Sequence, residues 1–458
     1  MGMNIFYKCL VHGKRLAVNE SKGYALLIVI TVTFVVSLFI GLMVSQYIYQ
    51  RHSIKSSIQK IQSFYTAEAG IKKAFYYLKE DPKKGIGWRT GGLIADNPLK
   101  EEIFYHQNNE VEISVVDDCG YLRIKSRAIG KFPKTIEIIS AGIFPDELQS
   151  NLCLISSKPL VLGAGSQLKG RIKLNQEPIY RGGSIDGMLE TNSSLSLPVV
   201  LTEPFKNSIK YFRYLLSHPE NFDRELFSPQ VFSPQRPFRA KKIFVNDAVL
   251  IENKNFDSLW CAGDNLILAS TAEIQISGAT KISNSTIVAV GPVRILDKAV
   301  LNSTKIYSET SIELREEAKF SGILIAPEIK VSEKAQIFNS SLIYCGVPFK
   351  DGKIVFNNEL PICCTIINLC QGKNSLIEIS SKSEIEGFIY TLAPIKHLGK
   401  ISGFVYCQGF YNPPITEDTT NTNVLSGVIQ PMPAPEYFTI PLIFQEIKDF
   451  KIIQWHEY

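Results

Sequence analysis

The chain has 458 residues, of which 45% are hydrophobic and 20% charged, so it has enough apolar material to build two or three folded domains. Its formal net charge is only +5, and no dense block of lysine and arginine occurs. This composition lacks the concentrated positive charge of a nucleic-acid-binding protein, and we expect no nucleic-acid partner.

The first strong pattern is an apolar run near the N-terminus. From Tyr24 to Ile48 no side chain is charged. A helix of about 25 residues exceeds the roughly 30 Å hydrocarbon thickness of a bilayer. The apolar core of a cleaved secretory signal is shorter, so we predict a membrane-spanning helix at 24–48.

The helical pattern continues beyond the membrane. Residues 49–79 contain no proline, and apolar side chains recur at intervals of three or four residues. The helix is predicted to end before Asp81-Pro82. The whole rod would then span about 55 residues, or about 80 Å.

Two features of this rod point to a family. A short polar leader ends in Ser21-Lys22-Gly23 before the apolar run, and FYTAEAGIKKAFYYL (Phe64–Leu78) follows it. Together they resemble the N-terminal region of type IV pilin-like proteins, and of PilX-type minor pilins in particular. The resemblance covers residues 14–80. It implies that a prepilin peptidase cleaves after Gly23 and leaves Tyr24 as the first mature residue.

The same resemblance identifies candidate packing residues. Most major pilins carry Glu at the fifth mature position, where this chain has Ile28, and this difference favours a minor subunit. Glu68 and Gly70 lie in the AEAG stretch and are predicted to pack against other helices, with a solvated charge and a tolerated glycine as the alternatives. The implied partners are the inner membrane, other pilin-like subunits and the peptidase.

Beyond the helix the periodicity changes to two. Residues Glu110–Val116, Tyr121–Gly130 and Lys134–Ile143 are predicted to form three strands of a small antiparallel sheet. From residue 151 short units such as NSTIVAV, NSTKIYS, FSGILIA and NSSLIYC recur about every 18 or 19 residues. This spacing predicts a β-solenoid rather than a β-sandwich, with small residues such as Ser303 at its corners. The pattern loosely resembles bactofilin-type proteins.

The predicted fold is therefore mainly β with a long N-terminal helix. The predicted parts are a leader at 1–23, the helix at 24–80, a small pilin-like β region at 81–150, a solenoid at 151–411 and a loose tail at 412–458. An insertion near 204–240 begins with an amphipathic helix at Pro204–Ser217 and ends in a proline-rich stretch.

Residue patterns for catalysis or metal binding are absent from the sequence. There is no HExxH, GxSxG, P-loop or GxGxxG motif, and none of the nine cysteines forms a CxxC pair. We predict no catalytic residue, no cofactor and no metal. The cysteines are interpreted as buried apolar residues, and a disulfide involving Cys370 stays open as an alternative.

These observations favour a minor pilin or pseudopilin-like subunit of a bacterial type IV pilus system, acting in filament assembly, capping or cell adhesion. It would cross the inner membrane once, with its body outside the cytoplasm. One alternative is a membrane-anchored scaffold that self-assembles through solenoid edges. The other is a carbohydrate-active solenoid enzyme that uses Asp297, Glu309, Arg315 and Glu316.

Overall fold

The computed structural model describes residues 21–80, 102–106, 109–142, 151–197, 200, 202–232, 240–253, 266–338, 341–411, 424–432 and 450–457. Most of the predicted leader lies outside these ranges, as do several parts of the predicted tail. The described chain begins with helix α1 (Ser21–Glu80), which confirms one helix of 60 residues through the apolar run and beyond it.

A small antiparallel sheet follows α1, as predicted. Its first four strands are β1 (Glu102–His106), β2 (Asn109–Asp118), β3 (Tyr121–Ile129) and β4 (Lys134–Gly142). Buried and more exposed residues alternate along β3, because one face packs against the end of α1 and the other side chains point away from it. We call this unit the small sheet.

After the small sheet the chain forms the first coils of a solenoid. Their strands are β5 (Leu152–Ser156), β6 (Val161–Leu162), β7 (Gln167–Lys169), β8 (Arg171–Leu174), β9 (Ile179–Tyr180), β10 (Ser184–Asp186) and β11 (Leu189–Thr191). Helix α2 (Glu203–Ser217) and a 3₁₀ turn (Pro219–Asn221) come next. The predicted amphipathic helix is thus present.

The remaining coils form one long run of short strands. They are β12 (Arg224–Leu226), β13 (Gln230–Phe232), β14 (Lys242–Val245), β15 (Val249–Asn253), β16 (Ile267–Ser270), β17 (Ile274–Gly278), β18 (Lys281–Ser283), β19 (Thr286–Ala289), β20 (Val293–Ile295), β21 (Val300–Ser308), β22 (Ser311–Leu314), β23 (Lys319–Ile325), β24 (Glu328–Glu333), β25 (Gln336–Ile337), β26 (Ser341–Cys345), β27 (Lys353–Asn358), β28 (Ile362–Asn368), β29 (Leu376–Ile379), β30 (Glu384–Thr391), β31 (Ile395–His397), β32 (Lys400–Cys407), β33 (Val424–Leu425) and β34 (Val428–Gln430).

Equivalent strands of successive coils pair in parallel, so each repeat aligns with the next. One sheet of 18 strands includes β19, β21, β23, β26, β28, β30 and β32, and we call it the large sheet. A second sheet has nine strands, β13, β15, β17, β20, β22, β24, β27, β29 and β31, and we call it the narrow sheet. The predicted repeats are in register: Ile287, Ile306, Leu324, Ile343, Ile366, Ile389 and Val405 form one buried inward column. The solenoid prediction is confirmed.

The corners of the coils use backbone conformations that favour small or polar residues. Asn284 and Ser303 have positive φ values of 49° and 48°. The Ser303 backbone N–H donates to Ser321 Oγ of the next coil at 3.1 Å. Ser303 thus occupies a corner, as its sequence position suggested, and a side chain from the adjacent coil supports it.

The order of coils in space differs from their order in the sequence. Val405 of β32 pairs with Leu154 of β5, so the first coils of the chain stack on the last ones. Helix α2 then carries the chain back to the far end at β12. The chain enters and leaves the stack at one place, because both Asn151 O and Pro431 Cγ lie within 2.6 Å of where a Cβ on Gly170 would stand.

The predicted loose tail at 412–458 is corrected by the structure. Strands β33 and β34 complete a solenoid coil, with Leu425 and Ile429 fully buried in its core. A last strand, β35 (Phe450–Glu457), pairs antiparallel with β4 and becomes the fifth strand of the small sheet. The insertion near 204–240 is also shorter than predicted, since β12 and β13 already belong to the solenoid. The solenoid is therefore inserted between two neighbouring strands of the small sheet.

Candidate functional site

The candidate functional site is helix α1, whose two halves have opposite surroundings. The segment Tyr24–Leu78 is long and apolar enough to cross a membrane, with a mean hydropathy of 2.8 in its most apolar window and none of that window buried in the protein. Thr31 and Thr33 donate their hydroxyls to the carbonyls of Leu27 and Val29 at 2.8 and 2.7 Å. These bonds satisfy polar groups that lipid cannot satisfy.

The exposed apolar surface of α1 extends beyond the uncharged run Tyr24–Ile48. Ile54, Ile58, Ile61 and Tyr65 are each 50–60% exposed. They are spaced by four, three and four residues, which places them on one stripe of the helix. We call these four residues the helix stripe. Such a stripe is the pattern by which one helix packs lengthwise on another.

The C-terminal half of α1 is buried against the small sheet. Ala67, Ile71 and Ala74 are at most 2% exposed and belong to the same core as β2, β3 and β4. Gly70 faces Ser126 Oγ of β3, and a Cβ on Gly70 would meet both that oxygen and Val111 Cγ1. Small residues therefore let the helix approach the sheet closely, and the sheet fixes the helix to the solenoid.

The predicted site residues are distributed along α1. Gly23 and Tyr24 lie in its first turns, and Tyr24 is 71% exposed. Ile28 is also exposed, and it does not belong to the core that joins the end of α1 to the small sheet. Glu68 forms an ion pair with Lys72 at 2.9 Å on the same helix. Gly70 packs on the protein's own sheet. Cleavage after Gly23 and packing against other helices stay predictions.

Helix α2, which the sequence predicted only as the start of an insertion, covers part of the solenoid. It lies across the outer face of the large sheet, where Phe205 stacks on Tyr344 with ring centroids 3.9 Å apart and Phe212 stacks on Tyr307 at 5.4 Å. Arg213 Nε donates to the Tyr307 hydroxyl and to Glu309, both at 3.2 Å. Burial raises the pKa of Tyr307 to about 12, so its hydroxyl stays protonated and neutral.

The sequences of the strands beneath α2 indicate that their outer face is covered. In the seven coils from β19 to β32, the outward column beneath α2 and the small sheet is buried and apolar: Val288, Tyr307, Ile325, Tyr344, Ile367, Tyr390 and Tyr406. We call it the covered column. Repeats such as SLIYC and GFIYT are apolar on successive residues, which is typical of strands covered on both faces.

The four residues considered for a carbohydrate-active site fall into three separate settings. Glu309 pairs with Arg213, and Arg315 pairs with Glu313 at 2.5 Å. Asp297 and Glu316 lie together at stacked corners. Asp297 accepts the Gly278 N–H at 2.7 Å, which holds the pKa of Asp297 below its usual range, whereas a side-chain hydrogen bond with Asp297 raises the pKa of Glu316.

Metal and thiol chemistry receive no support from the described geometry. In the ranges given above, no group of three His, Cys, Asp or Glu side chains is arranged to hold a metal ion. The seven cysteines within those ranges are free thiols. The Sγ of Cys370 donates to the Phe349 carbonyl at 3.5 Å, and burial raises its pKa to about 12. The open alternative of a disulfide at Cys370 is therefore not realised in this structure.

Comparison with known proteins gives a limited result. No protein-family model and no curated protein sequence matches the chain. Among solved structures, the chain is similar to the competence-associated pilin ComZ from Thermus thermophilus, with 8% sequence identity over 87% of this chain and 97% of that one. The TM-score is 0.25, which is too low to support an argument about fold or function.

Proposed function

We propose that this chain is a minor pilin or pseudopilin-like structural subunit of a bacterial type IV filament system. The observation that carries the proposal is the division of α1 into an exposed apolar half and a half packed on the small sheet. An exposed apolar surface of this size requires lipid or other helices around it. The helix stripe offers those helices a lengthwise packing surface outside the membrane.

The position of the solenoid supports the same role. Because it is inserted between β4 and β35, the solenoid is connected to α1 through two adjacent strands of the small sheet. A load on the solenoid would thus reach the helix through a hydrogen-bonded sheet rather than through one flexible linker. In this proposal α1 holds the subunit in the inner membrane or the filament, and the solenoid projects outward for capping or adhesion.

The decisive experiment determines the N-terminus of the mature chain isolated from membranes with and without the prepilin peptidase. We expect mature protein beginning at Tyr24 only when the peptidase is present. A Gly23→Val variant, expressed beside the wild type, should remain uncleaved because a branched side chain replaces the glycine at the processing site. An unprocessed N-terminus in both strains would contradict the proposal.

A further inference from the structure

The two ends of the solenoid differ in chemistry. One end is formed by β9, β10 and β11, which pair with β6, β7 and β8 of the preceding coils. These residue registers give the three strands no partner on their outer edges in the described part of the chain. We call this the apolar end. The other end is formed by β12 and β13, which pair with β14 and β15, and we call it the charged end.

Within the described ranges, the core columns at the apolar end stop without a cover. The end surface consists of Tyr180, Ile185, Met188 and Leu189. The register aligns three of them with fully buried core residues of the neighbouring coil, Leu162, Leu168 and Ile172. Yet Tyr180 is 55% exposed, Met188 is 63% exposed, and Ile185 and Leu189 are only partly buried.

At the charged end, charged groups lie at the edge of the terminal coil, although Phe227 is exposed there as well. Its register places Arg224 over Ile243, so an exposed guanidinium ends a core column. Asp223 accepts the backbone N–H groups of Lys241 and Lys242 at 3.1 and 3.0 Å. Charges at a sheet edge oppose pairing with another chain, because pairing would remove them from water.

The chain does not fold back over the apolar end within the described residues. After β11, Asn192 Oδ1 accepts the Ser194 N–H at 3.0 Å and forms a turn. Leu195 and Leu197, which precede α2, then pack against the core that α2 and the small sheet form over the large sheet. The described residues after β11 therefore lead toward α2 and do not cross the apolar end.

We propose that the end surface is the contact of a two-fold dimer in which a second copy of this chain docks through the same four residues. A two-fold axis brings the outer edges of the end strands together in antiparallel orientation, so their free backbone groups and open core columns are covered at once. Arg181 and Asp186 are both exposed on the same coil, so this end carries charges of both signs, and a second copy in two-fold orientation can match them. The charged end is a poorer partner, because contact with it would bury Arg224.

This dimer goes beyond the proposed pilin role and does not depend on processing of the N-terminus. It also differs from the scaffold considered above, since a contact between identical ends closes at two copies. A scaffold would require both ends to pair and would grow without limit.

The test measures the mass of the full-length chain in detergent by sedimentation velocity over a concentration series. The wild type should show a monomer–dimer equilibrium. A Y180K/M188K variant should dissociate at least about tenfold more readily, because like charges would meet across the axis. The matched control is F227K at the charged end, where Phe227 is 75% exposed, and it should leave the equilibrium unchanged.

All three substitutions fall on exposed side chains, and thermal unfolding of each variant shows whether the fold is retained. A wild type that stays monomeric at its solubility limit overturns the proposal. So does a dimer that Y180K/M188K leaves intact, because association would then come from α1. Equal weakening by F227K would also refute it, since the contact would not be specific to the apolar end.

Discussion

The large and narrow sheets are built from the same coils, yet their outer faces meet opposite surroundings. On the large sheet the covered column lies beneath α2 and the small sheet, and its residues are almost completely buried. On the narrow sheet the equivalent outward positions are half-buried and mostly polar, including Arg294, Glu313, Lys330 and Glu378. The inward columns of the two sheets are alike.

This difference shows that the inner columns build the solenoid, whereas the outer columns determine which other elements pack on it. An outer face of alternating charge remains in water and contributes little to stability. An apolar outer face must be covered, and here part of the cover is the small sheet that packs on α1. The comparison predicts large losses for changes on the covered face and small losses for changes on the exposed face.

The largest loss is expected for Phe205→Ala. Phe205 is fully buried and stacks on Tyr344, so the substitution removes a ring from the contact between α2 and the covered column. We expect the free energy of unfolding to fall by about 3–5 kcal/mol in urea denaturation followed by circular dichroism. The control is Val355→Ala on the outer face of the narrow sheet. Similar losses for both variants would disprove the comparison.

A second large effect is expected on the inner face of the narrow sheet, at His397. Its ring is buried, Nε2 lies 3.1 Å from the Val428 carbonyl, and burial lowers its pKa from 6.5 to about 4. Between pH 6.5 and pH 4 the imidazole of His397 is protonated in the unfolded chain but stays neutral in the folded chain. The free energy of unfolding therefore decreases as the pH falls through this range. This residue alone should account for roughly 3 kcal/mol between pH 7 and pH 4.

The check is His397→Gln, whose amide can still donate to Val428. The variant and the wild type are unfolded in urea at pH 7 and at pH 4.5, and the difference between their losses isolates His397 from the carboxylates. We expect the wild type to lose more stability on acidification. Equal losses would mean that the imidazole is not held neutral by burial.

The elements set by local pattern were predictable from the sequence. The uncharged run predicted the helix, and the units that recur every 18 or 19 residues predicted the solenoid and its register. Both patterns involve residues close together in the sequence. The pairing of Val405 with Leu154 and of β35 with β4 was not predictable. Each joins segments far apart in sequence, and no local pattern specifies which distant edge a strand will meet.

The candidate site was predictable in part for the same reason. The exposed apolar half of α1 followed from composition, whereas the Gly70 contact depends on where the small sheet lies. Consecutive apolar residues along the strands of the covered column are typical of strands buried on both faces. This signal could have predicted that another element covers the large sheet, but it does not identify that element as α2. The assignment of Glu309 to a possible catalytic face overlooked that Arg213, about a hundred residues earlier, returns to pair with it.

An intermediate effect is expected for Gly70→Ala, which tests whether α1 covers the small sheet as tightly as α2 covers the large one. The new methyl group would meet Ser126 Oγ and Val111, so stability should fall by about 1–3 kcal/mol despite the better helix propensity of alanine. The Ser126 hydroxyl has no hydrogen-bond partner among the described residues. The double variant G70A/S126A should recover part of the loss, and no recovery would place the clash elsewhere.

A smaller effect is expected for Arg213→Ala, at the edge of the covered face. The Arg213 side chain is 49% exposed, so its contacts with Tyr307 and Glu309 are screened by water and should contribute less than about 1 kcal/mol. Lys206→Ala is the control on the same helix, because among the described residues Lys206 forms an ion pair with exposed Glu203 alone, at 3.5 Å. A loss for Arg213→Ala as large as for Phe205→Ala would mean that charge, rather than ring stacking, holds α2.

The smallest effect is expected for Arg294→Ala, in the middle of the exposed face of the narrow sheet. Arg294 pairs with Glu273 and lies 3.7 Å from Glu313, and its side chain is 40% exposed. Since Glu313 keeps Arg315 as a partner, we expect a change within about 0.5 kcal/mol, measured by the same urea denaturation. A loss of several kcal/mol would show that the charged face stabilises the coils as much as the covered face does. The stability of the solenoid would then depend on both outer faces, and the conclusion that only the covered face contributes strongly would be wrong.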